Sequence, residues 1–239
     1  MYQQIKRLYG KKLNATDGYI GRVRDFLFDE STWTLRYLVA DTGSWLPKRL
    51  VLFPLPAFAT PFFGKATPTS DLLTVNLTRA KIEASPPLES SRSVSRQFEE
   101  DYYRYYGWPA YWQDNGMLGP IGFPPVDPLP APEKTIQKPL APNEDVLLRS
   151  TNTITGYNIQ TTDGPLGVVS DFIANSKDWT VREVVVQTGH WLSRKEILIL
   201  PENIERISHK EPLVFINLAR ENLRQTTSHD VAQASAGRR

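Results

Sequence analysis

Asp17-Gly18-Tyr19-Ile20-Gly21-Arg22-Val23-Arg24-Asp25-Phe26 returns later in the same chain as Asp163-Gly164-Pro165-Leu166-Gly167-Val168-Val169-Ser170-Asp171-Phe172. The offset is 146 residues, and the register holds without a gap from Asp17 to Arg49. Fourteen of those 33 positions are identical: Asp17, Gly18, Gly21, Val23, Asp25, Phe26, Trp33, Thr34, Arg36, Val39, Thr42, Gly43, Trp45 and Leu46. Allowing one inserted residue, Val51-Leu52-Phe53-Pro54 aligns with Leu198-Ile199-Leu200-Pro201. After a shortening of the second copy, Val75-Asn76-Leu77 aligns with Ile216-Asn217-Leu218, and Arg79 with Arg220. Identity on this scale, with length changes confined to loop-like stretches, marks an internal duplication.

Each copy reads as a run of short strands. Thr-Asp-Gly signals a hairpin, because glycine supplies the positive φ that the turn requires. Val23 and Phe26 do not share parity, so a single period-2 strand fails there, and Gly21 marks a bulge or bend. A turn at Asp29-Glu30-Ser31 (Asn175 to Asp178 in the second copy) leads into a strand over Thr34 to Ala40, matched by Val181 to Val186. Further strands are expected over Arg49 to Phe53 and Lys195 to Leu200, and over Leu72 to Leu77 and Leu213 to Leu218. A polar helical turn then closes each unit, at Thr78 to Ile82 and at Arg220 to Leu223. Turn signals every 8 to 12 residues predict a small barrel or sandwich, and closure would remove exposed edges.

The order Thr-Asp-Gly, Ile/Leu-Gly, Val, Asp-Phe, Trp-Thr-x-Arg, Val-x-x-Thr-Gly-x-Trp-Leu, Leu-Pro resembles the PRC-barrel family. Val75 to Pro87 is similar to that family's last strand and closing turn. The likeness covers about residues 5 to 87 and 150 to 228. The family includes the cytoplasmic domain of the photosynthetic reaction-centre H subunit and the C-terminal domain of the ribosome-maturation factor RimM. The resemblance implies a mainly β chain of two small PRC-like barrels that make protein contacts. It carries over no catalytic residue.

The predicted organisation is a first module over 1–87, a connector over 88–147, a second module over 148–228 and a flexible tail over 229–239. Eleven of the 19 prolines lie between Pro86 and Pro142, nine of them inside the connector. Phe98, Tyr102, Tyr105 and Tyr106 sit at helical spacing, so a short amphipathic helix is expected, ended by Gly107 and Pro109. Trp108, Tyr111 and Trp112 extend the aromatic run. These seven rings form a docking segment for a protein partner, or pack back onto the chain's own modules. Pro120 to Pro142 reads as an extended linker.

Composition narrows the function. The 28 basic and 26 acidic residues nearly balance, which argues against direct nucleic-acid binding. The absence of cysteine excludes disulfides, thiolate catalysis and cysteine-bound metals. No apolar run is long enough to span a membrane, and Met1 to Arg7 lacks a leader's apolar core, so a cytoplasmic location is expected. His190, His209 and His229 stand apart, and no phosphate loop or serine elbow occurs, so neither a metal, a cofactor nor an enzymatic activity is expected.

Several repeated residues invite roles. Asp25 with Arg36, and Asp171 with Arg182, are expected to form a carboxylate–guanidinium pair in each module. Trp45 and Trp191, like Trp33 and Trp179, are core plugs or exposed contacts. The leading expectation is an interaction or scaffold protein whose two modules pair about a pseudo-twofold axis, as a homodimer would. The alternatives are a RimM-like ribosome or RNA-maturation accessory factor, and a small-ligand sensor using the cleft between modules.

Overall fold

A computed structural model describes residues 2–46, 49–58, 72–86, 94–108, 110, 148–189, 195–208, 210–223 and 225–226. The chain runs β1 (Tyr2–Gln4), β2 (Lys12–Ala15), β3 (Gly18–Asp29), β4 (Thr34–Asp41), β5 (Leu50–Pro54), β6 (Leu72–Thr74), α1 (Arg79–Glu83) and α2 (Arg96–Tyr106). It continues with β7 (Leu148–Ser150), α3 (Thr151–Ile154), β8 (Asn158–Thr161), β9 (Gly164–Asn175), β10 (Val181–Thr188), β11 (Lys195–Ile199), β12 (Ile204–Ile207), β13 (Leu213–Ile216) and β14 (Gln225–Thr226). The protein is mainly β, in two sheets. One has the order β5-β4-β3-β2-β6 with β7 added on β3; the other has the order β12-β13-β8-β9-β10-β11-β14 with β1 added on β9.

The turn and strand pattern read from the sequence places these elements closely. Closure is the exception. Among the described residues the outer strands of neither sheet pair with each other, so both sheets are open there rather than closed barrels.

The failed parity between Val23 and Phe26 has a structural cause. The pairing of β3 with β4 shifts register between Val23 and Asp25, and β9 with β10 shifts between Val185 and Val186, opposite Asp171 and Val169. Such a bulge turns two consecutive side chains relative to the pleat, which lets Val23 and Phe26 both be buried. Gly21 and Gly167 sit where β3 and β9 press on the neighbouring strand. A Cβ at Gly21 would lie 2.1 Å from the Asp41 carbonyl oxygen, and one at Gly167 would lie 2.2 Å from that of Gln187.

One alignment detail changes. Leu38 pairs with Phe53, and Val184 pairs with Ile199. Both members of each pair therefore keep the 146-residue offset, which continues through the helical turns at Leu55–Ala57 and Pro201–Asn203, so no residue is inserted there. The shared Leu-Pro sequence had drawn the alignment one residue out of register.

The opening strand of each half does not lie on its own sheet. β1 pairs with β9 through Tyr2↔Asn175, Gln3↔Ala174 and Gln4↔Ile173. β7 pairs with β3 through Leu148↔Asp29, Arg149↔Phe28 and Ser150↔Leu27. These two sets map onto one another at the same offset. Between them Thr34 bridges Thr180, the Leu35 N–H donates to the Trp179 carbonyl at 2.8 Å, and the Val181 N–H donates to the Trp33 carbonyl at 2.8 Å. Trp33 and Trp179 adopt positive φ, 52° and 61°, a left-handed conformation that costs a non-glycine residue free energy. Both halves share this feature, and in both it accompanies a tryptophan carbonyl bonded to the opposite half. One apolar core runs through the two halves and includes Phe26, Phe28, Phe53, Phe172 and Val184.

Candidate functional site

The seam where the strands exchange concentrates buried ionisable groups. The bulge after Val23 aims Asp25 away from its own strand's partners and toward the entering segment of the other half. Its carboxylate accepts hydrogen bonds from the Ser150 hydroxyl, from the Thr151 hydroxyl at 3.1 Å, from the Asn152 N–H at 3.0 Å and from the Phe26 N–H at 2.7 Å. Asp171 accepts from the Lys6 N–H at 2.9 Å and the Phe172 N–H at 2.7 Å. Lys6 and Asn152 are 146 residues apart, as are Asp25 and Asp171, so each carboxylate clasps the helical turn that follows the other half's exchanged strand.

The two clasps differ electrostatically. Burial pushes Asp171 up to about 6, against the pull of the Lys6 and Phe172 amides and the Lys6 charge. Burial also raises Asp25, opposed by its larger set of donors. Tyr9 lies between them. Its hydroxyl is 2.8 Å from the Thr151 hydroxyl, and burial pushes its pKa well above the ordinary tyrosine value, with both aspartates adding to the shift. Strongly shifted groups that gather in one place are candidates for function. Here their hydrogen-bonding capacity is directed at the exchanged segments.

The expected Asp25–Arg36 and Asp171–Arg182 pairs do not form. Arg36 meets Asp29 at 3.3 Å, and Arg182 meets Asp178 one helical-length step earlier in the chain. In the register of β3 on β4, Asp25 stands opposite Val39, three positions from Arg36. Asp17 and Asp163 exceed their expected part as turn formers. Each accepts the backbone N–H of the arginine that starts its module's closing turn, Arg79 at 2.8 Å and Arg220 at 3.0 Å. Trp45 is half-buried against the core with the Arg79 guanidinium 4.7 Å from its ring. Trp191 lies outside the described residues, as do His190, His209 and His229. Among the described residues no group of three or more metal-ligating side chains converges, and no helix is long and apolar enough to cross a membrane.

The connector's aromatic run forms α2, as its spacing predicts. Ser95 caps its start by accepting the Phe98 N–H at 3.2 Å, and Gly107 ends it at φ 72°. The rings turn inward. The Tyr102 hydroxyl donates to the Leu52 carbonyl on the outer edge of β5, and Tyr105 donates to the Lys81 carbonyl at 2.8 Å. Tyr102, Tyr103 and Tyr106 are buried, Phe98 and Trp108 are half-buried, and Tyr106 stacks on Trp108 with ring centres 4.2 Å apart. Sequence spacing did not single out Glu99, which is fully buried. It accepts the Tyr37 hydroxyl at 2.6 Å and pairs with Arg96 at 3.0 Å. Its place three, four and seven residues before Tyr102, Tyr103 and Tyr106 puts it on their buried face, and that spacing is the signal that could have marked it. Tyr111 and Trp112 lie outside the described residues, as do the linker from Pro120 to Pro142 and the tail from 229 onward.

No family model matches the chain, and no curated protein matches it.

Proposed function

We propose that the chain is a non-enzymatic scaffold built of two PRC-like barrel modules that arose by duplication and pair about a pseudo-twofold axis, presenting a protein-binding segment from the connector. The observation that carries this reading is the reciprocal strand exchange at a constant 146-residue offset. It welds two similar units into one platform, which is what a presenting scaffold needs. The shifted groups at the seam support a non-catalytic reading, because their hydrogen bonds go to main-chain and hydroxyl groups of the exchanged segments.

The packing of α2 refines the partner-binding segment. Tyr102, Tyr103 and Tyr106 are used in covering the first sheet. The partner contact then passes to Tyr111 and Trp112, with Phe98, Tyr105 and Trp108 at its margin. The test is crosslinking in the native host with full-length protein and with a Tyr111→Ala/Trp112→Ala variant. A discrete partner captured at near-stoichiometric yield, and lost in the variant, supports the reading. Equal recovery from both proteins, or no stoichiometric partner, defeats it. Recovery of ribosomal proteins would favour the ribosome-maturation role.

A further inference from the structure

We propose that the two halves are matched to each other and reject copies of themselves, because like-with-like pairing would break the Glu30–Arg149 ion pair that crosses the seam. This rests on the paired-module reading above and adds the partner rule to it.

The backbone alone does not distinguish a half from its relative. Strand exchange, the Leu35–Trp179 and Val181–Trp33 bonds, and the Asn152–Asp25 and Lys6–Asp171 clasps all come in twinned sets. Two first halves, or two second halves, could make every one of them.

The side chains break the symmetry, and they do so on one side of the seam. Arg149 on β7 places its Nε 2.6 Å from Glu30, and both side chains are less than a fifth exposed. The pair also grips the edge of β12: Arg149 donates to the Ile207 carbonyl at 3.1 Å, and the Ile207 N–H donates to Glu30 at 3.4 Å. The positions 146 residues away hold Gln3 in place of Arg149 and Ser176 in place of Glu30. Two first halves would therefore set Gln3 against Glu30. Two second halves would set Arg149 against Ser176. Each arrangement takes from a largely buried charge the opposite charge it meets across the seam, which is costlier than losing an exposed pair.

Further differences point the same way. Asp25 is served by the hydroxyls of Ser150 and Thr151, whose counterparts are Gln4 and Ile5. A first-half pair would replace one hydroxyl by an alkyl group beside a buried carboxylate. Tyr9 bonds Thr151 across the seam, and Phe28 meets Phe172 with ring centres 5.8 Å apart. Phe28 is Ala174 in the second half. Discrimination built from a penalty on the wrong pairing, rather than from extra affinity for the right one, is a general route to specificity.

The test uses the full-length chain with a protease sequence inserted between Pro128 and Pro139. The folded protein is nicked, equilibrated, and its species read by native mass spectrometry. The expected result is a single complex of one N-terminal with one C-terminal fragment. A Glu30→Gln/Arg149→Gln variant, nicked in the same way, should raise the like-with-like complexes several-fold, since the penalty is gone. A statistical mixture from the unsubstituted protein overturns the matching but leaves pairing intact. Separation into monomeric fragments overturns the pairing reading as well. An unchanged species distribution in the variant removes the Glu30–Arg149 pair as the determinant.

Discussion

The two halves build the same frame and finish it differently. In both, an Asp-Gly turn is tied to a closing arginine, a glycine lies against the next strand's carbonyl, and a bulge aims an aspartate at the other half. Beyond the frame they part. The outer face of the first half, with Tyr37 and the β5 edge, is roofed by α2 and joins the main core. In the second half the β11 edge is completed by a strand, β14, through Glu196↔Thr226 and Ile197↔Gln225. There Ile173 and Val185, with Tyr2 and Leu198, form a small apolar cluster apart from the main core. Residues common to both halves thus specify strand geometry, and unshared residues decide how the open edge and outer face are protected.

The largest effect should follow from breaking the roof. Tyr102 is almost fully buried and donates to a strand-edge carbonyl. Tyr102→Ala should cost about 3–5 kcal/mol, the range for removing a large buried ring. Urea unfolding monitored by tyrosine and tryptophan fluorescence measures it. A loss below about 1 kcal/mol would mean that α2 lies on the sheet without supporting it.

The shared frame predicts a cost in both halves. Gly21→Ala and Gly167→Ala each drive a methyl group into a backbone carbonyl, and a strand carbonyl cannot move aside as a flexible side chain could. Each should cost about 1–3 kcal/mol, the usual range for overpacking, with Gly21→Ala the costlier because its φ of 144° also strains an alanine. A large cost in one half alone would show that the glycines serve different ends.

That shared frame bears on what the sequence reveals. Gly21, the Asp-Gly turns and the parity break at Val23 were legible because steric rules act within a few residues. The exchange of β1 and β7 was not. Tyr2-Gln3-Gln4 and Leu148-Arg149-Ser150 share no identical residue, and a three-residue strand carries no signal for which sheet it joins. The Asp25–Arg36 expectation failed for a related reason. Two repeated opposite charges suggest a pair, but the bulge rotates Asp25 out of the plane in which such a pair would meet. At the seam, then, Asp25 was picked out with the wrong partner, and Glu30 and Arg149 were missed, since their contact spans the two halves. In the connector, helical spacing revealed α2 and its aromatic face. It could not tell an outward face from an inward one, since tyrosine suits both.

The clasps offer a pH test of the asymmetry. Asp171 has a folded value of about 6, above the unfolded value of about 3.9. The folded state therefore binds the proton more tightly. Its contribution makes stability fall as pH rises from about 4 to about 6, by at most about 1.4 kcal/mol per pH unit, and flatten above that. Lys6 favours the charged form and Glu196 opposes it. Asp171→Asn should remove this part, so the wild-type-minus-variant difference should decline with pH across the window. Unfolding free energies at half-unit pH steps provide the check. A difference that grows with pH would mean that Lys6 governs the carboxylate rather than burial.

The smallest effect separates the equivalent arginines. Arg182 and Asp178 form an i,i+4 pair with both side chains more than two-fifths exposed, where solvent screens the attraction. Arg182→Ala should therefore cost no more than about 0.5 kcal/mol. Arg36 and Asp29 are at most a fifth exposed. Burial works against the charge on Asp29, yet the Ser31 hydroxyl and N–H, with the Arg36 guanidinium, hold its carboxyl below the usual range. Arg36→Ala should cost about 1–2 kcal/mol, because it removes a charged donor from a partly desolvated acceptor. High salt discriminates further. One molar sodium chloride should erase the Arg182 effect and leave most of the Arg36 effect, since screening reaches exposed pairs first. Equal salt sensitivity at both sites would show that the shared arginines do the same work in both halves, and that the asymmetry is confined to the seam and the roof.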